Sequence, residues 1–207
     1  MSGTAAYGTT AYWEERYGRD SEPFDWYQRW PHIKTLISQY AQPGMGILNV
    51  GCGNSRLSEE MLDDGFQNIM NIDFSQTVIQ FMAKKNAGKP LHYEHMNIFE
   101  MTFPDATFDL AIDKATLDTV LCGENCTPNS TKMLREVYRV LKPNGTYICI
   151  SHADPDQRLH YFYRTELDWK VEHQTLPKPM VSTLAEDRNT SNLHYVYICR
   201  KGVDLAN

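Results

Sequence analysis

Short apolar runs alternating with amphipathic segments are the feature that most constrains the fold of this 207-residue chain. The runs have the length and residue types of buried strands, whereas the segments between them repeat apolar residues at helical spacing. Glycines separate the two kinds of segment. Strands that alternate with helices are joined by right-handed crossovers, so the pattern predicts an α/β fold with a mainly parallel sheet and helices on both faces.

The predicted elements follow one another with short connections. The predicted strands are Ile47–Val50, Ile69–Ile72, Leu91–Met96, Phe108–Ile112 and Thr146–Ile150, and two late strands, near Val171 and at His194–Cys199, are predicted to form a hairpin. The predicted helices are Leu57–Leu62, Gln76–Lys85 with Ser75 as N-cap, and a segment through Leu134, Val137, Val140 and Leu141 that stops at Pro143-Asn144-Gly145. We expect one domain of ordinary size.

Composition excludes several classes of protein. The formal net charge is −6 and no basic run exceeds Lys84-Lys85, so a nucleic-acid partner is not expected. Five scattered cysteines indicate a reducing, cytoplasmic compartment. The spacing of Cys122 and Cys126 suits a metal pair, but no second pair at zinc-like spacing accompanies them, so no metal site is expected. No apolar stretch reaches about 18 residues and the N-terminus lacks a signal-peptide pattern, so no membrane association is expected.

A glycine turn after the first strand, Gly51-Cys52-Gly53, predicts a cofactor site. Asp73 follows about 20 residues later at the end of the second strand, where a carboxylate can accept both ribose hydroxyls of a nucleoside. Dinucleotide-binding enzymes need a third glycine, and Arg56 occupies that position, which favours a nucleoside cofactor over a nicotinamide. The alternative is a turn without a ligand, in which Asp73 only caps a helix.

Five segments resemble a known family. They are YWEERYGRDSEPFDWY, NVGCGNSRLSEEM, NIDFS, DKATLDTVL and LREVYRVLKPNGTYICIS. Together they resemble class I methyltransferases of the methyltransferase-like 13 type, which include the lysine methyltransferases of elongation factor 1A. The resemblance covers Tyr12 to Gly202 and implies a Rossmann-like domain with a seven-stranded sheet, a C-terminal antiparallel hairpin and S-adenosyl-L-methionine as cofactor, released as S-adenosyl-L-homocysteine.

The resemblance also implies which residues bind the cofactor. Asp73 would hold the ribose, Phe74 and the pair Asn97-Ile98 would meet the adenine, and Lys114 would lie at the end of the fourth strand. The full predicted set is Trp13, Tyr17, Trp26, Gly51, Cys52, Gly53, Asn54, Asp73, Phe74, Asn97, Ile98 and Lys114. Two positions depart from the family pattern, because Asn97 replaces an aspartate and Ala115 replaces the glycine of the DKGTLD motif.

The N-terminal aromatic residues have a physical reason to lie near the cofactor. A sulfonium is a cation, and an aromatic face attracts a cation by about 0.5–2 kcal/mol. The resemblance implies that Trp13, Tyr17 and Trp26 fold over the cofactor, and this attraction supports that assignment. The alternative is that Trp13 and Tyr17, four residues apart on a helix, only pack on the core.

Three side chains are candidates for catalysis. Asp113 and Asp118 flank the end of the fourth strand, where an acceptor should approach, and His152 follows the strand ending at Ser151. An acceptor amine must lose its proton before it attacks, so a carboxylate could hold the amine and a histidine could take the proton. Asp113 could instead pair with Lys114 or cap a turn, and a lone histidine is often structural.

The resemblance implies a protein substrate, a lysine of elongation factor 1A, and an acidic enzyme suits a basic partner. Recognition is assigned to the loops Leu121–Ser130, Ala153–Arg164 and Pro177–Asn192. The second loop carries Arg158, His160, Tyr161, Phe162 and Tyr163. A small-molecule methyltransferase and a non-catalytic cofactor-binding module are the alternatives.

The predicted organisation is a single methyltransferase domain, residues 1–207, in a monomer or weak dimer. Residues 1–43 form a helical and aromatic lid segment, 44–151 the cofactor-binding core, and 152–207 the acceptor-side loops and last strands.

Overall fold

The computed structural model describes residues 5–163, 167–179 and 192–202. A short 3₁₀ helix, Ala5–Gly8, precedes the regular elements. The helices are α1 Thr10–Arg19, α2 Trp30–Ile37, α3 Leu57–Asp63, α4 Gln76–Lys85, α5 Thr116–Cys122, α6 Cys126–Val140 and α7 Pro155–Tyr163. The strands are β1 Ile47–Val50, β2 Ile69–Asp73, β3 Leu91–His95, β4 Phe108–Lys114, β5 Leu141–Ser151, β6 Trp169–Pro177 and β7 Leu193–Lys201.

The strands form one seven-stranded sheet in the order β3-β2-β1-β4-β5-β7-β6. The first five strands are parallel, and β7 pairs antiparallel with both β5 and β6. The predicted Rossmann-like fold and C-terminal hairpin are confirmed. The order reverses direction beside β1, so the carboxyl ends of β1 and β4 meet at the switch point where such sheets bind ligands.

The central strands of the sheet are buried on both faces, as their near-continuous apolar sequences predict, whereas the edge strands β3 and β6 are largely exposed. All four residues of β1 are buried, and Leu48 and Val50 pack with α5 and α6 on one face. Ile47 points to the opposite face and packs with α2 and α3. The helix α4 contributes a smaller cluster of Val78, Ile79 and Met82 beside Cys52.

Two predicted boundaries are wrong: the end of the helix before Pro143 and the start of the strand predicted at Thr146–Ile150. Leu141 is not the end of a helix but the first residue of β5, because α6 stops at Val140 and Leu141 pairs with Phe108. Its side chain is buried in either assignment, so apolar spacing alone could not place the boundary. The strand then passes through the predicted turn, in which Asn144 has φ +62°.

Two of the predicted loops are largely helical. The segment Leu121–Ser130 contains the end of α5 and the start of α6, separated by residues 123–125. The helix α7 occupies most of the predicted loop Ala153–Arg164. Arg164 and residues 180–191 of the third predicted loop lie outside the described residues.

Within the described parts of the chain, no helix is both long enough and apolar enough to cross a membrane.

Candidate active site

The turn between β1 and α3 is built from glycines that no other residue would replace without strain. Gly51 has φ +62° and Gly53 has φ +51°. A Cβ on Gly51 would lie 2.2 Å from Thr116 Oγ1, which itself donates a hydrogen bond to the Val50 carbonyl at 2.8 Å. The predicted turn therefore leaves its backbone open to a ligand, with α5 packed directly behind it.

Asp73 joins this turn to the end of β2. Its Oδ2 accepts a hydrogen bond from Gly53 N and its Oδ1 accepts one from Ser75 N, both at 2.9 Å. Burial raises the pKa of Asp73 to about 6. The carboxylate thus links the glycine turn to the N-cap residue of α4, and its contact with a ribose stays a prediction. Each oxygen keeps a lone pair that a ribose hydroxyl could use.

The segment 5–29, which we call the N-terminal lid, lies over this edge of the sheet. Trp13 and Tyr17 are stacked with ring centroids 5.7 Å apart, and Trp13 Nε1 donates to the Tyr7 carbonyl at 2.6 Å. The Tyr17 hydroxyl is so close to Gly53 that a Cβ there would lie 2.6 Å from it. Glu14 fixes α1 to α4 by accepting hydrogen bonds from Gln76 N and Thr77 N.

A buried ion pair fastens the far end of the lid. Lys114 Nζ lies 2.9 Å from Asp25 Oδ1 and 3.2 Å from the Trp26 carbonyl. Ser55 Oγ donates to the same oxygen of Asp25. Burial would raise the pKa of Asp25, but the charge of Lys114 and these hydrogen bonds hold it below its ordinary value. Burial also lowers the pKa of Lys114, against the opposing effect of Asp25.

One pocket is enclosed by the glycine turn, the strand ends and the lid. Ten of the twelve predicted cofactor-binding residues line it: Trp13, Tyr17, Trp26, Gly51, Cys52, Gly53, Asn54, Asp73, Phe74 and Lys114. The remaining lining residues are Arg16, Phe24, Asn49, Ser55, Ala115, Thr116 and Thr119. Neither Asn97 nor Ile98 is among the lining residues, and their contact with an adenine stays a prediction. The aromatic residues of α1 therefore stack on each other and also face the pocket.

The two residues that depart from the family pattern are placed clearly. Ala115 has φ +81°, a backbone conformation that favours glycine and thus accounts for the usual residue there. Asn97 is exposed, and its Oδ1 accepts a hydrogen bond from Phe99 N at 3.0 Å.

Asp113 lies behind the pocket. Its carboxylate accepts hydrogen bonds from Thr116 N at 2.7 Å, Leu117 N at 3.0 Å and the Tyr147 hydroxyl at 2.7 Å. Burial raises the pKa of Asp113 to about 7. These contacts match the alternative in which Asp113 caps a turn. A direct role toward an acceptor is untested and stays a prediction.

Asp118 and His152 are brought together beside the lid. His152 Nδ1 lies 2.7 Å from Asp118 Oδ2, and the Tyr27 hydroxyl donates to the same carboxylate oxygen at 2.8 Å. Arg158 Nη2 donates to Asp118 Oδ1, also at 2.8 Å. Neither Asp118 nor His152 lines the pocket, but Thr119 and Trp26, next to Asp118 and Tyr27 in the chain, do.

The lid residues that make these contacts were not predicted. Asp25 and Tyr27 flank Trp26 in the sequence, but their partners Lys114 and Asp118 are about 90 residues away. The predicted aromatic residue was the only signal in this stretch. Of the residues assigned to substrate recognition, Phe162 is fully buried and Arg158 is nearly so, whereas Tyr163 is exposed.

Comparisons with known proteins show the family of the chain. A family model described as "Methyltransferase domain" matches residues 48–149. Mouse EEF1A lysine methyltransferase 4 is 33% identical over an alignment of 212 positions, which covers 97% of this chain and 78% of that protein. The chain belongs to this family of class I S-adenosylmethionine-dependent methyltransferases.

Other relatives of the methyltransferase are longer. Bovine eEF1A lysine and N-terminal methyltransferase is 40% identical over 152 residues, 71% of this chain. The match spans only 22% of the length of that relative.

Solved structures support the fold. A SAM-dependent methyltransferase from Methanosarcina mazei has a TM-score of 0.63 and 19% identity, over 87% of this chain and all of that one. Burkholderia thailandensis 1,6-didemethyltoxoflavin-N1-methyltransferase, solved with S-adenosylhomocysteine, has a TM-score of 0.60 and 16% identity, over 83% and 77% of the two chains.

The pocket of the methyltransferase fits S-adenosylmethionine in three respects. Side chains at Gly51 and Gly53 would collide with Thr116 and Tyr17, so both positions keep the backbone of the turn bare where it lines the pocket. Asp73 is a buried carboxylate that could accept from a ribose, and Trp13, Tyr17 and Trp26 are aromatic lining residues that could attract a sulfonium. No third glycine is required, and Arg56 occupies that position as the N-cap of α3.

Proposed function

We propose that this protein is an S-adenosylmethionine-dependent protein-lysine N-methyltransferase whose substrate is translation elongation factor 1A. The observation that carries the proposal is the 33% identity to mouse EEF1A lysine methyltransferase 4 over 97% of the chain. That match includes the N-terminal lid as well as the cofactor core. The net charge of −6 supports a basic protein partner.

Within this proposal, the residues of the pocket have distinct tasks. Asp73 and the glycine turn hold the nucleoside, and the aromatic side chains of the lid face the sulfonium. The cofactor supplies a methyl group on a cationic sulfur, whose departure as a neutral thioether needs little acid catalysis. The protein's main contribution is to align the acceptor and exclude water, which can lower the barrier by several kcal/mol.

The proposal includes the assignment of regions. Residues 1–43 act as the lid segment, 44–151 as the cofactor-binding core and 152–207 as the acceptor side. The exposed residues His160 and Tyr163 on α7 support an acceptor surface there. A cytoplasmic location is proposed because a translation factor is the proposed substrate.

The test is methyl transfer from labelled S-adenosylmethionine to purified elongation factor 1A, with the modified residue mapped by mass spectrometry. We expect label on a lysine, abolished by Asp73→Ala. A parallel reaction with a cell extract, separated by size, distinguishes the alternatives. Label confined to the small-molecule fraction would replace the protein substrate by a small one, and binding of cofactor without transfer to any acceptor would indicate a non-catalytic module.

A further inference from the structure

Asp118 is a buried carboxylate that receives five hydrogen bonds. Ser151 Oγ and Arg158 Nη2 donate to Oδ1 at 2.6 and 2.8 Å. The Tyr27 hydroxyl, His152 N and His152 Nδ1 lie 2.8, 3.0 and 2.7 Å from Oδ2. Burial would raise the pKa of Asp118, but the hydrogen bond from His152 and the charge of Arg158 lower it to about 2. The group is therefore a carboxylate at neutral pH.

The contact with Asp118 decides which nitrogen of His152 carries the proton. A carboxylate can only accept hydrogen bonds, so the Nδ1 that faces it must be the protonated nitrogen of the neutral ring. The Tyr27 oxygen lies 2.9 Å from Nδ1 and donates its own hydrogen to Asp118, so its lone pair faces the same N–H. Burial raises the pKa of Tyr27, which keeps this hydroxyl protonated. The Nε2 of His152 is left with its lone pair free to accept a proton.

The position of the ring suits a proton acceptor better than a structural contact. The side chain of His152 is 56% exposed, whereas that of Asp118 is 5% exposed. Arg158, itself buried, already neutralises Asp118 by a direct ion pair. Asp118 therefore does not need His152 as a counter-charge.

The network is next to the cofactor pocket on two different elements. On the lid, Trp26 lines the pocket and Tyr27 contacts Asp118. On α5, Thr119 lines the pocket and Asp118 lies one residue before it. In each case one residue lines the pocket and its neighbour in the chain belongs to the network, so the network borders the pocket.

We propose that Nε2 of His152 accepts the proton that the acceptor lysine must lose, and that Asp118 and Tyr27 are positioning residues for the ring. The inference rests on the proposed function. An N–H bond of the lysine ammonium breaks as the Nε2–H bond forms, which gives a neutral amine and an imidazolium. The lone pair of the amine then forms a C–N bond to the methyl carbon while the C–S bond breaks. The electron pair of the broken C–S bond stays on sulfur. The exposed imidazolium returns its proton to solvent.

The charged and titratable groups around His152 come from four elements. They are Tyr27 of the lid, Asp118 of α5, Arg158 of α7 and His194 of β7. Burial lowers the pKa of His194 to about 4, so this second histidine is neutral at physiological pH. Asp118 and Arg158 keep opposite charges throughout the range in which a histidine titrates.

The test compares wild type, His152→Gln and the matched control His32→Gln, an exposed histidine on α2. At pH 7 we expect His152→Gln to lower kcat by about 10²- to 10⁴-fold, the usual contribution of a general base. The KM for the acceptor and the affinity for the cofactor should stay unchanged. Because the free lysine has a pKa of about 10.4, its neutral fraction rises about tenfold for each pH unit, so the deficit should shrink toward pH 9. Added imidazole should partly restore the activity of His152→Ala.

The assignment would be overturned if the loss of kcat in His152→Gln were the same from pH 7 to pH 9, or if the variant changed only KM. Failure of imidazole to restore the activity of His152→Ala would also overturn it. Tyr27→Phe keeps the ring that packs on His194 at 4.8 Å but loses the hydroxyl. It should lower kcat about two- to tenfold, the effect of one hydrogen bond. An unchanged kcat would remove Tyr27 from the network.

A second readout does not depend on the acceptor. Nitrogen-15 NMR of the cofactor-bound protein should show neutral His152 with its proton on Nδ1, and a proton on Nε2 would overturn the inference. If wild type does not methylate elongation factor 1A, the proposed function fails while the NMR result still decides the tautomer. The variants would then be measured on whichever protein of the extract is labelled.

Discussion

Lys114 Nζ and Asp25 Oδ1 lie 2.9 Å apart, and both side chains are more than nine-tenths buried between the lid and the end of β4. This ion pair connects a residue of the DKATLD segment to the chain that covers the pocket. The lysine predicted to lie beside the cofactor does line the pocket, and it also holds the wall of that pocket in place.

We expect Asp25→Asn to destabilise the folded protein by about 3–5 kcal/mol, because a buried charge that loses its partner is costly. The double variant Asp25→Asn, Lys114→Met should recover part of this loss. Urea denaturation measures the free energy of unfolding of both variants, and calorimetry with S-adenosylmethionine shows whether they still bind the cofactor. Glu15→Gln is the matched control, because its pair with Arg19 is largely exposed and should be worth little. Equal effects of Asp25→Asn and Glu15→Gln would contradict a fastening role.

Cofactor affinity should depend on pH through Asp73. Its raised pKa of about 6 means that the neutral acid is the main form below that value. A ribose hydroxyl donates to the carboxylate, so affinity should be constant above about pH 7 and fall about tenfold per pH unit well below pH 6. Titration calorimetry at pH 5, 6 and 7 tests this. Asp73→Asn should bind more weakly at pH 7 and lose this dependence, and an unaltered pH profile would exclude Asp73 as its source.

Gly51→Ala should be more harmful than an alanine at another left-handed glycine. Gly88 has φ +83° with open space around it, so Gly88→Ala measures the backbone cost alone, about 1–2 kcal/mol. Gly51→Ala adds the collision with Thr116, which should cost about 1–3 kcal/mol more. Thermal unfolding of both variants gives the difference. Equal losses would mean that Thr116 moves aside freely.

Trp13→Ala should weaken S-adenosylmethionine more than S-adenosylhomocysteine, because only the former carries a sulfonium. A lost cation–π contact of about 0.5–2 kcal/mol corresponds to a difference of about two- to thirtyfold. Tyr12→Ala is the control, since Tyr12 contacts Trp13 edge-to-face at 5.2 Å but does not line the pocket. Calorimetry with both ligands gives the ratio. If Trp13→Ala weakens them equally, Trp13 only packs.

The parts of the site that are local in sequence could be predicted. The glycine turn, Asp73 at the end of β2 and Ser75 as the N-cap of α4 each depend on spacing within about 25 residues. Strand periodicity and short connections then determine the order of elements. The sheet and the floor of the pocket follow from these local rules.

The walls of the pocket depend on contacts that no local rule predicts. Asp25 and Tyr27 look like ordinary polar neighbours of Trp26 until the lid folds back onto β4 and α5. Phe162 belongs to the cluster that the sequence analysis assigns to substrate recognition, whereas α7 turns it into the core against Tyr197. The burial of each such side chain is decided by the packing of distant elements, which single-sequence periodicity does not report.

The position of the N-terminal lid determines where the protein can be truncated. The matched methyltransferase region, residues 48–149, includes the glycine turn, Asp73 and Asp118. It omits the aromatic residues of the N-terminal lid on one side and His152 on the other. A fragment trimmed to that region would lose Trp13, Tyr17 and Trp26 from the pocket lining and the strands β6 and β7 from the sheet. A library built by truncation should therefore keep residues 5–29, which supply part of the pocket lining and the ion pair with Lys114.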